Sequence, residues 1–257
     1  MRFPRKAMVL AAGLGTRLRP LTDATPKALL EVGGRPMIEY PLRMLARAGV
    51  VEVVINVHHL REQVRAALGD GSRFGLRIHY SAEDPILDTG GAIARARPLL
   101  DGEPFAVANC DALLDPDLAA AWALHRREDA LVTLVVREDA EAERYGALDL
   151  DPSGRVKRFL GQPAPISEPL ERRMFCGVHL MSPRIFANMP ARPVFSITRD
   201  VYAALVRQRA PIFGFDHRGY WRDLGTPQSL DAAREDLERG RFAPSFVDAV
   251  LTRRVGR

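Results

Sequence analysis

The sequence predicts an α/β fold in which a mostly parallel sheet is flanked by helices and followed by a smaller part of mixed β structure. Three observations predict it. Strand and helix signals alternate through the first half, the pattern of right-handed βαβ units. The run Ala7-Met8-Val9-Leu10-Ala11-Ala12 is unbroken and apolar, as suits a strand buried on both faces of a parallel sheet. From Tyr145 onward the pattern shortens into strands separated by turns.

The first strand ends at Gly13, and Gly13 and Gly15 allow the backbone to turn without a Cβ penalty. A helix is expected from about Met37 to Ala48, stopping at Gly49, and residues 51–57 form the second strand. Leu60 to Leu68 reads as helical, Leu76 to Tyr80 as a strand, and Thr89-Gly90-Gly91 precedes a helix ending near Pro98. Phe105 to Ala108 is a short apolar strand with Asn109-Cys110-Asp111 at its carboxyl end, where open α/β sheets place their ligands. Asp115 is placed to cap a helix running to about His125, and Ala130 to Val136 is strongly β.

In the second half, Asp151-Pro152-Ser153-Gly154 turns between strands at 147–150 and 156–159. Gln162 to Leu170, with three prolines, reads as a loop, and Met174 to Met181 as a strand. A helix from Ile197 to Gln208, a strand at 212–215 and a helix starting at Pro227 behind a Thr226 cap complete the body. Residues 1–240 are expected to form the folded domain and 241–257 a basic tail.

The 257 residues are enough to bury a sizeable core, and 47% hydrophobic with 27% charged residues is ordinary for a soluble globular chain. No apolar run reaches the ~20 residues that span a bilayer. Met1 to Lys6 leads into a strand rather than a secretory apolar segment, so no membrane association and a cytoplasmic address are expected. Two cysteines, Cys110 and Cys176, cannot build a zinc cluster and are expected as free thiols. The net charge of +5 and pI near 9.6 come from cations spread along the chain and from Arg253, Arg254 and Arg257. Aromatics are not interleaved with them, which disfavours a nucleic-acid partner.

The segment Leu10 to Lys27, LAAGLGTRLRPLTDATPK, concentrates the chemistry. Successive N–H groups around the glycine turn can converge on an anion. Arg17 and Arg19 bring permanent multi-donor charges, and Pro26 fixes the backbone before Lys27. Only Asp23 opposes them. A dinucleotide fingerprint is incomplete, since the third glycine of G-x-G-x-x-G is replaced by Leu18, and the Walker order is absent. A polyphosphate site remains, beside the plain alternative of a basic surface turn.

This segment, continued by Ala28 to Met37 (ALLEVGGRPM), closely resembles the signature of the sugar-1-phosphate nucleotidylyltransferases, which make nucleotide sugars. The resemblance implies a Rossmann-like sheet with a mixed β sugar-binding part; the C-terminal β-helix of some members has no counterpart in the sequence. It implies that Leu10, Ala11, Ala12, Gly13, Gly15 and Thr16 wrap a nucleoside triphosphate, that Arg17 stabilises the departing pyrophosphate and that Lys27 holds the phosphates. Asp111, in an N-x-D setting, and Asp223, in Trp221-Arg222-Asp223-Leu224-Gly225-Thr226-Pro227, match the two metal-binding aspartates, with Mg2+ as the implied cofactor. By itself each aspartate also reads as a turn or cap residue. Arg17, Lys27 and Asp111 are thus the implied catalytic residues.

Nucleotidyl transfer joins two anions, so charge must be neutralised and the reactants aligned. No protein nucleophile is needed, in keeping with the lack of a Ser-His-Asp or Cys-His pattern. His58 and His59 are adjacent and make a poor metal pair; Cys110 and Trp221 read as packing, and Arg222 as a surface partner. The stretch from Ser81 to Gly91 matches the loop that frames the base, implicating backbone groups of Gly90 and Gly91 and the side chain of Glu83; a helix cap at Thr89 is the plain alternative. Asn109, Tyr145, Gly146, Gln162, Gly177 and the 175–179 strand occupy acceptor positions. Gln162 stands in Gly161-Gln162-Pro163 where many relatives carry E-K-P, so either Lys157, Arg158 or another group substitutes for the missing lysine, or the acceptor is held differently.

Residues 68–76 and 87–91 are most similar to N-acetylmuramate-1-phosphate uridylyltransferases of cell-wall recycling, which favours UTP. The Tyr145-Gly146 and Trp221-to-Pro227 segments are equally close to mannose-1-phosphate guanylyltransferases. A reading from another class is a non-catalytic nucleotide-sugar-binding regulatory subunit, against which the retention of Arg17, Lys27, Asp111 and Asp223 argues. Monomer and homodimer are equally open.

Overall fold

The structure is a computed structural model and describes residues 2–160 and 169–246. In chain order its strands are β1 (Lys6–Leu10), β2 (Glu31–Val32), β3 (Arg35–Pro36), β4 (Glu52–Val57), β5 (Arg77–Ala82), β6 (Phe105–Asn109) and β7 (Ala112–Leu114). They continue with β8 (Val132–Arg137), β9 (Ala147–Leu150), β10 (Val156–Phe159), β11 (Glu171–Met181), β12 (Ile212–Asp216) and β13 (Trp221–Asp223). The α-helices are α1 (Leu21–Ala24), α2 (Glu39–Ala48), α3 (Arg61–Leu68), α4 (Asp88–Arg95), α5 (Arg97–Leu100), α6 (Leu118–Arg127), α7 (Ala142–Tyr145), α8 (Ala203–Arg207) and α9 (Pro227–Glu238).

Nine strands form one sheet. Its parallel half runs β6-β1-β4-β5, and antiparallel β11 joins β6 to the mixed half, β8 to β10 and β12. The Rossmann-like arrangement expected from the sequence is present, and the mixed part is continuous with the main sheet. The chain steps from β1 outward to β4 and β5, then returns to place β6 on the other side of β1. Strand order therefore reverses between β1 and β6, and the crevice position at which open α/β sheets take their ligands falls beyond the carboxyl ends of these strands, Leu10 and its register partner Asn109.

Side chains alternate between two cores. Ala7, Val9, Val53, Ile55, Ala106 and Ala108 face Leu42, Leu45, Val64, Leu68 and Trp122 on one side of the sheet. Met8, Val54, Phe105 and Val107 face Ile93, Leu100, Tyr202 and Leu205 on the other. Both faces are dry, which is why β1 and β6 read as unbroken apolar runs. A third core, with Leu18, Met37, Tyr40, Leu113, Leu224, Leu230 and Ala233, packs α9 against the start of the chain.

Several element boundaries differ from expectation for identifiable reasons. Asp117, not Asp115, caps α6 by accepting from Ala120 N at 2.9 Å, while Asp115 accepts from Ser245 N at 2.7 Å. Thr89 lies inside α4 and is no cap; its Oγ1 accepts from Ile197 N at 3.0 Å. The helix expected at 197–208 opens with π-helical turns at Ile197–Tyr202 before α8. α9 carries the expected cap, with Thr226 and Ser229 bonding each other's backbone N–H groups. Gln162 and the basic residues 253–257 lie outside the described residues.

Candidate active site

The glycine turn leaves β1 at the strand reversal. Gly15 carries it: its φ is +63°, and a Cβ there would stand 2.8 Å from Thr22 Cγ2 and 3.0 Å from Lys27 Cβ. Gly13, expected to turn as well, has no left-handed φ; around it there is open space on the side where a Cβ would project. Its contribution is clearance at the crevice. After Gly15 a 3-10 turn, Thr16–Leu18, closes through Leu18 N to Gly15 O at 2.8 Å. Leu18 is buried in the third core, while Thr16 and Arg17 are exposed on the crevice side of the chain's turn. The loop is thus anchored by one apolar side chain and presents its polar ones.

The two aspartates, 112 residues apart in number, are brought together by a small two-stranded ribbon. β13 pairs antiparallel with β7, setting Asp223 opposite Ala112, and Leu224 N donates to Asp111 O at 2.8 Å. Burial, and then the nearby Asp111 charge, push the Asp223 carboxyl above the usual carboxylate range; the Gly225 N–H at 2.9 Å, Lys27 and Arg17 act in the opposite sense. Lys27 Nζ bonds Asp111 Oδ2 directly, and only a tenth of its side chain is exposed. Burial would lower the lysine, but the Asp111 charge, with Cys110 and Asp223, outweighs it and holds Lys27 above its ordinary value.

Arg17 meets the same group beside a glycine. A Cβ on Gly225 would stand 2.6 Å from Arg17 Nη2 and 2.7 Å from Asp223 Oδ2, so Arg17 and Asp223 converge on this glycine and an added side chain would have to displace one of them. Sequence reasoning missed Gly225, although it lay in the quoted segment. Arg17, Lys27, Asp111 and Asp223 therefore form one cluster of two cations and two carboxylates at the crevice.

Two close carboxylates fit a hard divalent cation that takes its remaining ligands from water and phosphate oxygens. Among the described residues no cluster of three or more His, Cys, Asp or Glu could hold a metal, so no closed protein cage competes with that arrangement. Cys110 beside Asp111 is fully buried, and burial pushes its thiol up to about 12, which makes it an inert packing group.

Among the residues expected to bind the acceptor, Gly177 has φ +90° and a Cβ there would touch Asn109 Nδ2 at 3.1 Å. The strand bulges at this point, since the register of β11 against β8 shifts between Phe175 and His179. Trp221 Nε1 donates to Cys176 O at 3.1 Å, and its ring meets Tyr145 edge-on at 5.1 Å. Trp221, read from sequence as packing, links the strand bearing Asp223 to the acceptor wall. Burial and the Asp223 charge raise the Tyr145 phenol, which places Tyr145 within electrostatic reach of Asp223. Gly146, with φ +116°, ends α7 and immediately precedes β9.

The three groups named for the base loop, the backbone of Gly90 and Gly91 and the side chain of Glu83, have partners within the protein. The N–H groups of Gly90 and Gly91 both donate to Phe195 O, at 2.9 and 3.1 Å, and are taken. Their lack of side chains serves packing: a Cβ on Gly90 would lie 2.4 Å from Phe195 Cδ2, and one on Gly91 2.1 Å from Pro193 O. Glu83 is 1% exposed and its two oxygens accept from Asn56 Nδ2 at 2.8 Å and Leu87 N at 2.9 Å, so the side chain faces the protein. Lys157 and Arg158 pair with Asp151 and Asp149, at 3.1 and 3.6 Å, so both cations named to replace the missing lysine have acidic partners of their own. A groove of about 550 Å³ at the amino ends of β4 and β5, lined by Arg5, Glu52, Asp70 and Arg77, lies at the opposite edge of the sheet.

The profile of the family "Nucleotidyl transferase" matches residues 6–240. The N-acetylmuramate alpha-1-phosphate uridylyltransferase of Neisseria meningitidis serogroup B is 38% identical over 232 residues, 89% of this chain and 96% of its own length. The mannose-1-phosphate guanylyltransferase of Mycobacterium tuberculosis is 34% identical over 240 residues, 93% of this chain but 66% of that protein. The chain spans about two thirds of the latter's length. Among solved structures, a putative glucose-1-phosphate thymidylyltransferase from Bacillus anthracis superposes with a TM-score of 0.80 at 22% identity, covering 94% of this chain and 98% of its own. With the fold, the strand reversal and the matched span in agreement, the chain belongs to the nucleotidyl transferase family, whose relatives here include uridylyl- and guanylyltransferases.

Proposed function

We propose that the protein transfers a nucleotidyl group from a nucleoside triphosphate to a sugar 1-phosphate, releasing diphosphate. The observation that carries this reading is the convergence of Arg17, Lys27, Asp111 and Asp223 on one crevice. In this reading Asp111 and Asp223 hold Mg2+, which when bound neutralises and aligns phosphate oxygens. Lys27, kept protonated by the neighbouring carboxylates, would supply positive charge to the phosphates. Arg17 faces the charge that develops on the leaving diphosphate. The attacking oxygen belongs to the sugar phosphate, so the chain supplies orientation and charge but no covalent intermediate.

For the acceptor, Asn109, Tyr145, Gly146 and Gly177 line the wall, and Gln162 is retained as a candidate outside the described residues. The substrate pair favoured is UTP with N-acetylmuramate 1-phosphate, because the relative of that name matches over nearly its whole length. GTP with mannose 1-phosphate is the second reading, supported by the 34% identity to a guanylyltransferase over 93% of this chain. Diphosphate release measured over four nucleoside triphosphates and a panel of sugar 1-phosphates tests both. No release with any pair would remove the catalytic reading and leave the regulatory subunit.

A further inference from the structure

The carboxylate of Glu83 lies beside the nucleotide crevice but takes no part in the chemistry proposed for it. A buried carboxyl group is costly unless its oxygens are bonded, and here the bonds tie together separate loops. Ala11 N, the first donor beyond β1, gives its hydrogen to Asn56 Oδ1 at 2.8 Å. Asn56 Nδ2 donates to Glu83 Oε1 at 2.8 Å, and Glu83 Oε2 accepts from Leu87 N at 2.9 Å. Asn56 is 4% and Glu83 1% exposed. The Glu83 backbone is itself pinned, with its N–H on Val57 O at 2.9 Å and its carbonyl against His58 Nδ1 at 2.9 Å.

The chain of bonds crosses the carboxyl ends of three neighbouring parallel strands, β1, β4 and β5. At one end stands the residue that opens the glycine turn; at the other, the residue before α4. We propose that Asn56 and Glu83 form a positioning relay for the nucleotide, in which Asn56 aims the glycine turn, Glu83 aims the 84–88 loop, and the bond between them sets the spacing of the two. Neither side chain touches the nucleotide. The relay explains why a carboxylate stands in a dry interior: an acceptor on each oxygen is needed to take one donor from the loop and one from the asparagine.

The inference rests on the nucleoside triphosphate reading of the crevice. Its test uses the full chain and whichever of the four triphosphates the unaltered protein binds most tightly by calorimetry. Asn56→Ala and Glu83→Gln are each expected to weaken that binding, and to raise the triphosphate KM, by about tenfold. The KM for the sugar 1-phosphate and the kcat stay near their original values, and both proteins remain folded at the assay temperature. The double variant is expected to be no weaker than the worse single one, since both cut the same chain. Glu83→Ala should weaken binding further; if it does not fold, Asn56→Ala carries the test. A folded Asn56→Ala with unaltered triphosphate affinity, or fully additive losses, overturns the relay while leaving the nucleotide site standing. An unaltered protein that binds no triphosphate overturns both.

Discussion

Lys27 and Asp111 show how far a single side chain depends on its neighbours. A lysine so little exposed would lose charge by burial, yet the two carboxylates beside it hold the proton. Lys27→Ala is expected to raise the triphosphate KM by about tenfold or more, because a charge-assisted contact is lost, with a smaller effect on kcat; titration with nucleotide and initial-rate kinetics check it. If Asp111 and Asp223 hold the metal, Asp111→Asn and Asp223→Asn should each cut kcat by about two orders of magnitude; Tm should fall in Asp111→Asn, which strips buried Lys27 of its paired charge, and hold or rise in Asp223→Asn, whose charged form burial disfavours. Gly225→Ala should lose activity in a folded protein, since its Cβ would drive Arg17 and Asp223 apart; measuring kcat beside a thermal melt separates the two effects.

At this scale the sequence was informative where a residue's role is chemical. Arg17, Lys27, Asp111 and Asp223 could be named from their types and settings, and they meet in the fold. Glu83 could not, because a buried carboxylate facing inward and one facing a ligand look the same in a string of letters. Asn56 sat unmarked inside a strand, its side chain doing the work of a missing backbone partner.

Among elements, α4 carries a conflict between local preference and packing. Glycine inside a helix costs about 1 kcal/mol relative to alanine, so Gly90→Ala should stabilise α4 by propensity alone. The added Cβ, however, meets Phe195 Cδ2 at 2.4 Å and Ile197 N at 2.9 Å, and overpacking of that kind costs about 1–3 kcal/mol. Packing wins. Gly90→Ala is expected to lower Tm, and Gly91→Ala to lower it more, because the obstacle there is the Pro193 carbonyl at 2.1 Å; calorimetric melts of the two decide it. The partner segment at 193–197 is distant in sequence, so the glycines read as loop signals when they are contact signals. Asp115 and Asp117 teach the same lesson on a smaller scale, since either could cap α6 and only the backbone path selects one. By contrast α9, whose cap is local, was legible in Thr226 and Pro227.

For the molecule as a whole, the unbroken apolar runs of β1 and β6 announced a sheet buried on both faces, and the strand reversal between them explains where the candidate site lies. The joining of the mixed half through β11 was not readable, since strand order depends on partners far apart in the chain. Buried histidines add a property of the entire fold. Burial lowers His125, packed on Trp122 and 3.0 Å from Thr133 Oγ1, to about 4, and His179, 2.8 Å from Tyr202 Oη, to about 3. Both are neutral in the native state but bind protons when unfolded. Stability is therefore complete above the ordinary histidine range near 6.5 and falls as pH drops from there toward 4, each group adding up to about 1.4 kcal/mol per pH unit. Denaturant titrations from pH 7 to pH 4.5 should show that slope.

The third core has a consequence for synthesis. Leu18, near the start, is covered by Leu224, Leu230 and Ala233, near the end of the described chain. A ribosome that has released only the first two hundred residues has already made all four strands of the parallel half β6-β1-β4-β5, the glycine turn and one aspartate. Asp223 and the apolar residues that cover Leu18 are made only afterwards, so neither the four-residue charge cluster nor the packing beneath its glycine turn is complete until residues 223 to 233 have been added.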